Sequence, residues 1–133
     1  MSDNGSELQV ITKAKDLAEY VIIITHKSPK EFRFTFVSKM QNLTLDAIDK
    51  LYRANDVYVT KENKSNYAAR YNYMKAAVTD IRLLIYISEI AMKCNCILPK
   101  QYHQISIKGT ETLRYIGAWI NGDRRRLGMN DKR

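Results

Sequence analysis

Apolar residues recur at alternating intervals of three and four positions through most of this chain, and that spacing places side chains on one face of an α-helix. The longest such run occupies positions Tyr71, Met74, Val78, Ile81, Ile85, Ser88 and Met92. An earlier run has the same alternation: Val10, Ala14, Leu17, Val21 and Ile24. Only five glycines and two prolines interrupt the 133 residues. Because so few chain breakers disfavour a fold with many turns, the pattern predicts an all-α protein with long helices.

Local signals indicate where these helices begin and end. Ser28, Pro29 and Glu31 fit the N-cap, N1 and N3 positions of a capping box, in which Ser28 and Glu31 satisfy each other's backbone N–H groups. Gly122 fits the position just after a helix. Gly109 and Gly117 interrupt the last apolar segment, where we expect them to allow close approach of a neighbouring helix.

The apolar patterns therefore predict a single four-helix domain over residues 8–122, with helices at about 8–26, 29–56, 66–95 and 99–121. We expect a disordered N-terminus at residues 1–7 and a basic C-terminal tail at residues 123–133. Short connections between consecutive helices favour an antiparallel up-down-up-down four-helix bundle. Several helices are apolar over more than one stripe, and this surplus predicts self-association.

The positive charge is distributed unevenly. The formal net charge is +8. Residues 100–133 hold eight Lys or Arg against three acidic residues, whereas the first 99 residues hold fourteen against eleven. This asymmetry favours a polyanionic partner, nucleic acid before an anionic membrane surface. A solvated basic tail with no such partner is the alternative.

Two groups of basic residues form the predicted nucleic-acid-binding site. The first lies on the fourth segment and its tail: Lys100, Lys108, Arg114, Arg124, Arg125 and Arg126. The second lies on the third segment, among four tyrosines: Arg70, Lys75 and Arg82, with Tyr67, Tyr71, Tyr73 and Tyr86. Arginine binds phosphate in a bidentate manner, and tyrosine can stack on bases. The alternatives are compensation of the helix dipole for the arginine triplet and a place in the core for Tyr71 and Tyr86.

The sequence contains no convincing catalytic constellation. There are two histidines, no Glu-x-x-His pair and no phosphate-binding glycine loop. Cys94, Cys96 and His103 offer three unevenly spaced metal ligands, so structural thiols are the better interpretation and we expect no cofactor. No signal peptide is recognisable, and no apolar run approaches the ~20 residues that span a bilayer. We therefore expect a cytoplasmic protein without enzymatic activity or membrane attachment.

Three stretches of the chain resemble one protein family. They are SPKEFRFTFVSKMQNL at 28–43, IDKLYRAND at 48–56, and IGAWI at 116–120 with the arginines that follow. The chain is similar over about residues 8–127 to the four-helix-bundle family that includes the accessory variability determinants (Avd) of diversity-generating retroelements. That family also includes proteins encoded in intervening sequences of bacterial 23S rRNA genes. The Gly-x-Trp-Ile motif with its basic ending is the most specific part of the resemblance.

The resemblance implies a homopentameric barrel of four-helix protomers. It also implies a non-enzymatic accessory protein that binds a reverse transcriptase and its template RNA or cDNA in mutagenic retrohoming. Trp119 and Ile120, with Gly117, would anchor the fourth helix, and the arginines at 124–126 would extend a positive surface beside them. The alternative is a structural or protein-interaction bundle encoded in an rRNA intervening sequence, without nucleic-acid function.

Overall fold

The computed structural model describes residues 5–129, with side chains described from residue 9, and this part of the chain is helical without any strand. Its four α-helices are α1 (Gly5–Thr25), α2 (Ser38–Asp56), α3 (Tyr67–Lys93) and α4 (Pro99–Arg126). A short 3-10 helix and a π-helix precede α2, and another 3-10 helix precedes α3: Lys30–Phe32, Arg33–Val37 and Lys61–Asn66. The prediction of an all-α, four-helix protein is confirmed.

Each helix packs against two neighbours around one core. α1 contacts α2 and α4, and α3 also contacts α2 and α4. The alternating apolar positions of α1 become its buried face, since Val10, Ala14, Leu17 and Val21 are at most 2% exposed. None of the helices within residues 5–129 has the length and hydropathy needed to cross a membrane.

The predicted capping box at Ser28 is wrong. The Ser28 hydroxyl donates to the carbonyl oxygen of Cys96 at 2.8 Å, so it ties the α1–α2 junction to the α3–α4 connection instead of capping a helix. Pro29 precedes the 3-10 helix without a side-chain cap. Because a 3-10 turn and a π turn follow, α-helical geometry starts only at Ser38.

Both predicted ends of the domain are also wrong. α1 already includes residues 5–7, while residues 1–4 and 130–133 lie outside the described part of the chain. α4 continues through Gly122 to Arg126, because Asp123 and Leu127 are drawn into the core at 4% and 0% exposure. Residues 123–126 are therefore the last turn of a helix, not a tail.

Gly128 provides the stop signal that was expected at Gly122. Its φ of +72° lies in the left-handed region, which glycine adopts without a steric penalty. The backbone N–H of Gly128 donates to the carbonyl oxygen of Arg125, and the backbone N–H of Met129 donates to the carbonyl oxygen of Arg124 at 2.8 Å. These two hydrogen bonds form a Schellman motif at the end of α4.

The two glycines inside α4 differ in their surroundings. A Cβ added at Gly109 would lie 2.9 Å from Cδ1 of Ile85, so the expected close helix approach is confirmed there. A Cβ at Gly117 would meet nothing within 4 Å, so the predicted packing role of Gly117 is wrong.

We expect Gly117→Ala to raise the free energy of unfolding by about 0.5–1 kcal/mol, because alanine restricts the unfolded chain and favours the helix interior. Gly109→Ala should not show this gain, since the new methyl group would press on Ile85. Urea unfolding followed by circular dichroism measures both changes. An equal gain from the two substitutions would contradict the assignment of close contact to Gly109 alone.

Candidate nucleic-acid interface

Arg70 lies inside the protein, where its side chain is only 5% exposed. Nε and Nη2 donate to the two carboxylate oxygens of Asp123 at 2.8 and 3.1 Å, and Nη1 donates to the carbonyl oxygen of Val57 at 3.2 Å. The pair joins the start of α3 to the end of α4. Since this guanidinium is not accessible to a phosphate, Arg70 does not belong to a binding surface and the interpretation of it as a surface cation is wrong.

Trp119 packs beside this buried ion pair. The indole is 3% exposed, and the Arg70 guanidinium carbon lies 4.9 Å from its ring centroid, which is the geometry of a cation–π contact. Ile120 is half-buried against the same core. The structure therefore places Trp119 and Ile120 where they hold α4 to the other helices.

The three consecutive arginines have three different environments, because successive helical residues point about 100° apart. Arg126 donates to the carbonyl oxygen of Val59 at 3.2 Å and to Asp123 at 3.1 Å. Arg124 is half-buried beside Tyr67; burial raises the pKa of Tyr67, and Arg124 opposes that rise. Arg125 is exposed. The triplet is therefore not one uniform cationic patch.

Three cations of α4 share its outer side. Lys100, Arg114 and Arg125 are all exposed. At 100° per residue they lie within about 40° of one another, and at 1.5 Å per residue they extend over about 37 Å. Lys108 differs, because it is half-buried and its ammonium nitrogen lies 5.5 Å from the ring centroid of Tyr20 on α1. Lys100, Arg114 and Arg125 form what we call the α4 row.

The two acidic residues of α4 differ in how far they offset the α4 row. Within this helix they are Glu111 and Asp123. Glu111 forms an ion pair with Lys13 of α1, with Nζ and Oε2 2.9 Å apart. The hydrogen bond in this pair lowers the pKa of Glu111 and raises the pKa of Lys13. Asp123 is buried against Arg70. Glu111 lies three residues before Arg114, and the charge of Arg114 also lowers the pKa of Glu111, so this carboxylate offsets part of the charge at the centre of the α4 row. Lys100 and Arg125 have no exposed carboxylate of α4 within four residues.

A second, shorter group lies on α3. Lys75 and Arg82 are exposed and two helical turns apart, so they share a face. Tyr86 lies one further turn along and is 71% exposed, so the alternative that placed it in the core is wrong. Tyr71 is half-buried against the core. The two carboxylates of α3 are both paired, Asp80 with Lys50 and Glu89 with Lys93.

A third group of cations, which was not predicted from the sequence, lies at the junction of α1 and α2. Four exposed basic residues surround a single acid, Glu31, between positions 27 and 39: Lys27, Lys30, Arg33 and Lys39. Three phenylalanines lie at every second position in the same stretch: Phe32, Phe34 and Phe36. This local excess of charge is visible in the sequence, but the stretch was used there only to predict a helix start and to support the family resemblance.

The cysteines and histidines do not converge in the described residues. Cys94 is exposed, whereas Cys96 is buried and its pKa is raised by that burial. His103 is exposed on α4. No group of three His, Cys, Asp or Glu side chains suited to a metal ion occurs between residues 9 and 129.

The fold and its surface define a class, that of four-helix proteins with cations on the outer sides of two neighbouring helices. No protein-family model, curated protein or solved structure matches this chain.

Proposed function

We propose that this chain is a non-enzymatic nucleic-acid-binding accessory protein of a diversity-generating retroelement. In this role it binds the reverse transcriptase and holds template RNA or its cDNA during mutagenic retrohoming. The sequence resemblance supports the retroelement and the polymerase. The observation that carries nucleic-acid binding is the α4 row, in which Lys100, Arg114 and Arg125 are exposed on one side of the helix. Asp123 is buried against Arg70, and Glu111, which lies near Arg114, is paired with Lys13.

The α4 row suits contact with the phosphate backbone more than reading of base sequence. Lysine and arginine neutralise phosphates and release counterions, which gives affinity without sequence preference. Lys75 and Arg82 on the adjacent helix α3 add two further exposed cations, and Tyr86 adds an exposed ring beside Arg82. The mechanism is therefore scaffolding: the protein holds a strand by its backbone while the polymerase performs the chemistry.

The proposal includes an antiparallel up-down-up-down arrangement. Lys13 of α1 contacts Glu111 of α4, and Tyr20 of α1 contacts Lys108 of α4. Residue numbers therefore rise along α1 as they fall along α4, which is the relation between antiparallel helices. α3 and α4 show the same relation. Arg70 near the start of α3 pairs with Asp123 near the end of α4, whereas Ile85, further along α3, lies beside Gly109, which is nearer the start of α4.

The proposal also includes a homopentamer, in which the α4 row would be repeated around a ring. Exposed apolar side chains support self-association, since they recur two helical turns apart on neighbouring helices. These side chains are Leu45 and Tyr52 on α2, with Leu83 and Ile90 on α3. The same side chains favour the second candidate function, a structural protein-interaction bundle without nucleic-acid binding.

Replacing Lys100, Arg114 and Arg125 together with alanine is expected to weaken RNA binding and to flatten its salt dependence. If each cation neutralises one phosphate, the slope of log K against log salt should fall by about two to three. The measurement is a fluorescence-anisotropy titration with template RNA at several salt concentrations, with and without the candidate polymerase. All three side chains are exposed, so helix content should not change.

A matched control removes the same charge elsewhere. Lys15, Lys61 and Lys64 are exposed and lie outside α3, α4 and the α1–α2 junction, and their joint replacement by alanine lowers the net charge equally. We expect this control to keep most of the salt slope. Equal losses of RNA affinity in the two triple variants would mean that binding depends on net charge and not on the α4 row. If the native protein binds no RNA, the second candidate function, the structural bundle, is supported instead.

A further inference from the structure

Two of the four cations at the α1–α2 junction, Lys30 and Arg33, line a cleft. Its volume is about 700 Å³, within the range of about 300–1,000 Å³ that small-ligand sites occupy. The lining residues that matter here are His26, Ser28, Lys30, Arg33, Phe34 and Gln41. A cleft of this size accepts one nucleotide, whereas the α4 row is an open surface.

The lining of the cleft is basic. Lys30, Arg33 and His26 contribute nitrogen donors to its lining, and Ser38 adds a hydroxyl group. No carboxylate belongs to the lining, since the nearby Glu31 is outside it. Arginine and lysine together form the donor set that proteins use for phosphate groups.

Phe34 adds a flat apolar ring to this basic cleft. Its side chain is 86% exposed, although Phe32 and Phe36 on either side pack against the core with ring centroids 5.7 Å apart. An exposed phenylalanine gains little for the stability of the fold, because its apolar area remains in water. A nucleobase stacked on the ring would cover that area, and stacking of this kind tolerates any base.

The floor of the cleft is held in place by hydrogen bonds. Gln41 Nε2 donates to Thr25 Oγ1 at 2.9 Å, and Thr25, only 3% exposed, donates to the carbonyl oxygen of Val21 at 2.7 Å. Ser28 is fixed by its bond to Cys96. The π-helix Arg33–Val37 forms one wall, and such π turns occur frequently at functional sites.

We propose that this cleft binds one unpaired nucleotide of a single strand of RNA or DNA. The base stacks on Phe34, and the adjoining phosphate is held by Arg33 and Lys30, with His26 as a further donor. The inference rests on the proposed nucleic-acid function and adds a preference for single strands to it. A duplex cannot satisfy the cleft, because its bases are already stacked on one another and offer no free face.

Phe34→Ala in the full chain should weaken binding of a labelled single-stranded RNA by about tenfold, the usual loss for one stacking side chain. Binding of a duplex of the same length should not change. Phe34→Tyr should bind the single strand as tightly as the native chain does, since tyrosine keeps an aromatic face. The triple alanine variant of the α4 row is the comparison, because it should weaken binding of both forms.

Each remaining outcome counts against the proposal. If Phe34→Ala changes the two affinities equally or not at all, the cleft does not hold a base, while binding through the α4 row would still stand. If the native protein binds neither form, both the cleft and the proposed function fail. If a nucleoside monophosphate binds as tightly as the strand and loses affinity equally in Phe34→Ala, the ligand is a free nucleotide and the proposed strand site is wrong.

Discussion

Replacing Asp123 with alanine is expected to lower the free energy of unfolding by about 3–5 kcal/mol, the range found when one partner of a buried ion pair is removed. The substitution leaves the Arg70 guanidinium at 5% exposure without the carboxylate that accepts two of its hydrogen bonds. Arg126 loses its contact with the same carboxylate. Urea or thermal unfolding of the native and variant chains measures the difference.

A surface ion pair and a double variant provide the controls. Glu111→Ala removes the partner of Lys13 at a partly exposed site, so it should change the free energy of unfolding far less than Asp123→Ala does. Combining Asp123→Leu with Arg70→Met removes both charges, and most of the loss should be recovered because no buried charge is left unpaired. A loss below about 1 kcal/mol in Asp123→Ala would mean that Arg70 reaches water when unpaired, contrary to its burial.

The apolar spacing was sufficient to predict the helices and much of the core. In α1, four of the five positions chosen from their alternation are buried, and the fifth, Ile24, is half-buried against the core. The 3.6-residue period of the helix and the single core together determine which face is buried. Helix ends were harder to predict. Gly122 and Gly128 both follow plausible last turns, and only the packing of Asp123 and Leu127 against the core selects the second glycine.

The candidate site could be predicted only in part, because exposure of a cation depends on distant residues. Arg70 and Arg82 look alike in the sequence, yet Arg70 is buried by a partner 53 positions away and Arg82 faces solvent. The arginine triplet looks uniform, but the helical twist sends its members in three directions. At the α1–α2 junction, the hydroxyl of Ser28 bonds to Cys96, so the local capping motif concealed a contact that only the tertiary fold creates.

These placements separate two uses of arginine at one end of the protein. Arg70 and Arg126 bind carbonyl oxygens of the α2–α3 connection, at Val57 and Val59, and so fix that connection to α4. Arg125 contributes to the α4 row. A substitution of all three arginines at 124–126 would therefore change stability and surface charge together, and the resulting loss of binding could not be assigned to either cause.

Trp119→Ala is expected to lower the free energy of unfolding by about 3–5 kcal/mol, since it removes a large buried ring and leaves a cavity. The loss includes the contact with Arg70, whose guanidinium carbon lies 4.9 Å from the ring centroid. Trp119→Phe should lose much less, because it keeps an aromatic face and because the indole N–H has no hydrogen-bond partner among the described residues. Unfolding in urea distinguishes the two variants.

The Trp119 substitution also separates stability from binding. Trp119 and Asp123 share Arg70, so their alanine substitutions should not add, and a double-mutant cycle should show a coupling of about 0.5–3 kcal/mol. At temperatures where Trp119→Ala remains folded, the α4 row keeps all its cations, and the salt slope for RNA should equal that of the native chain. Additive effects would show that Trp119 does not stabilise the ion pair, and a reduced slope in the folded variant would show that the α4 row depends on this anchor for its geometry.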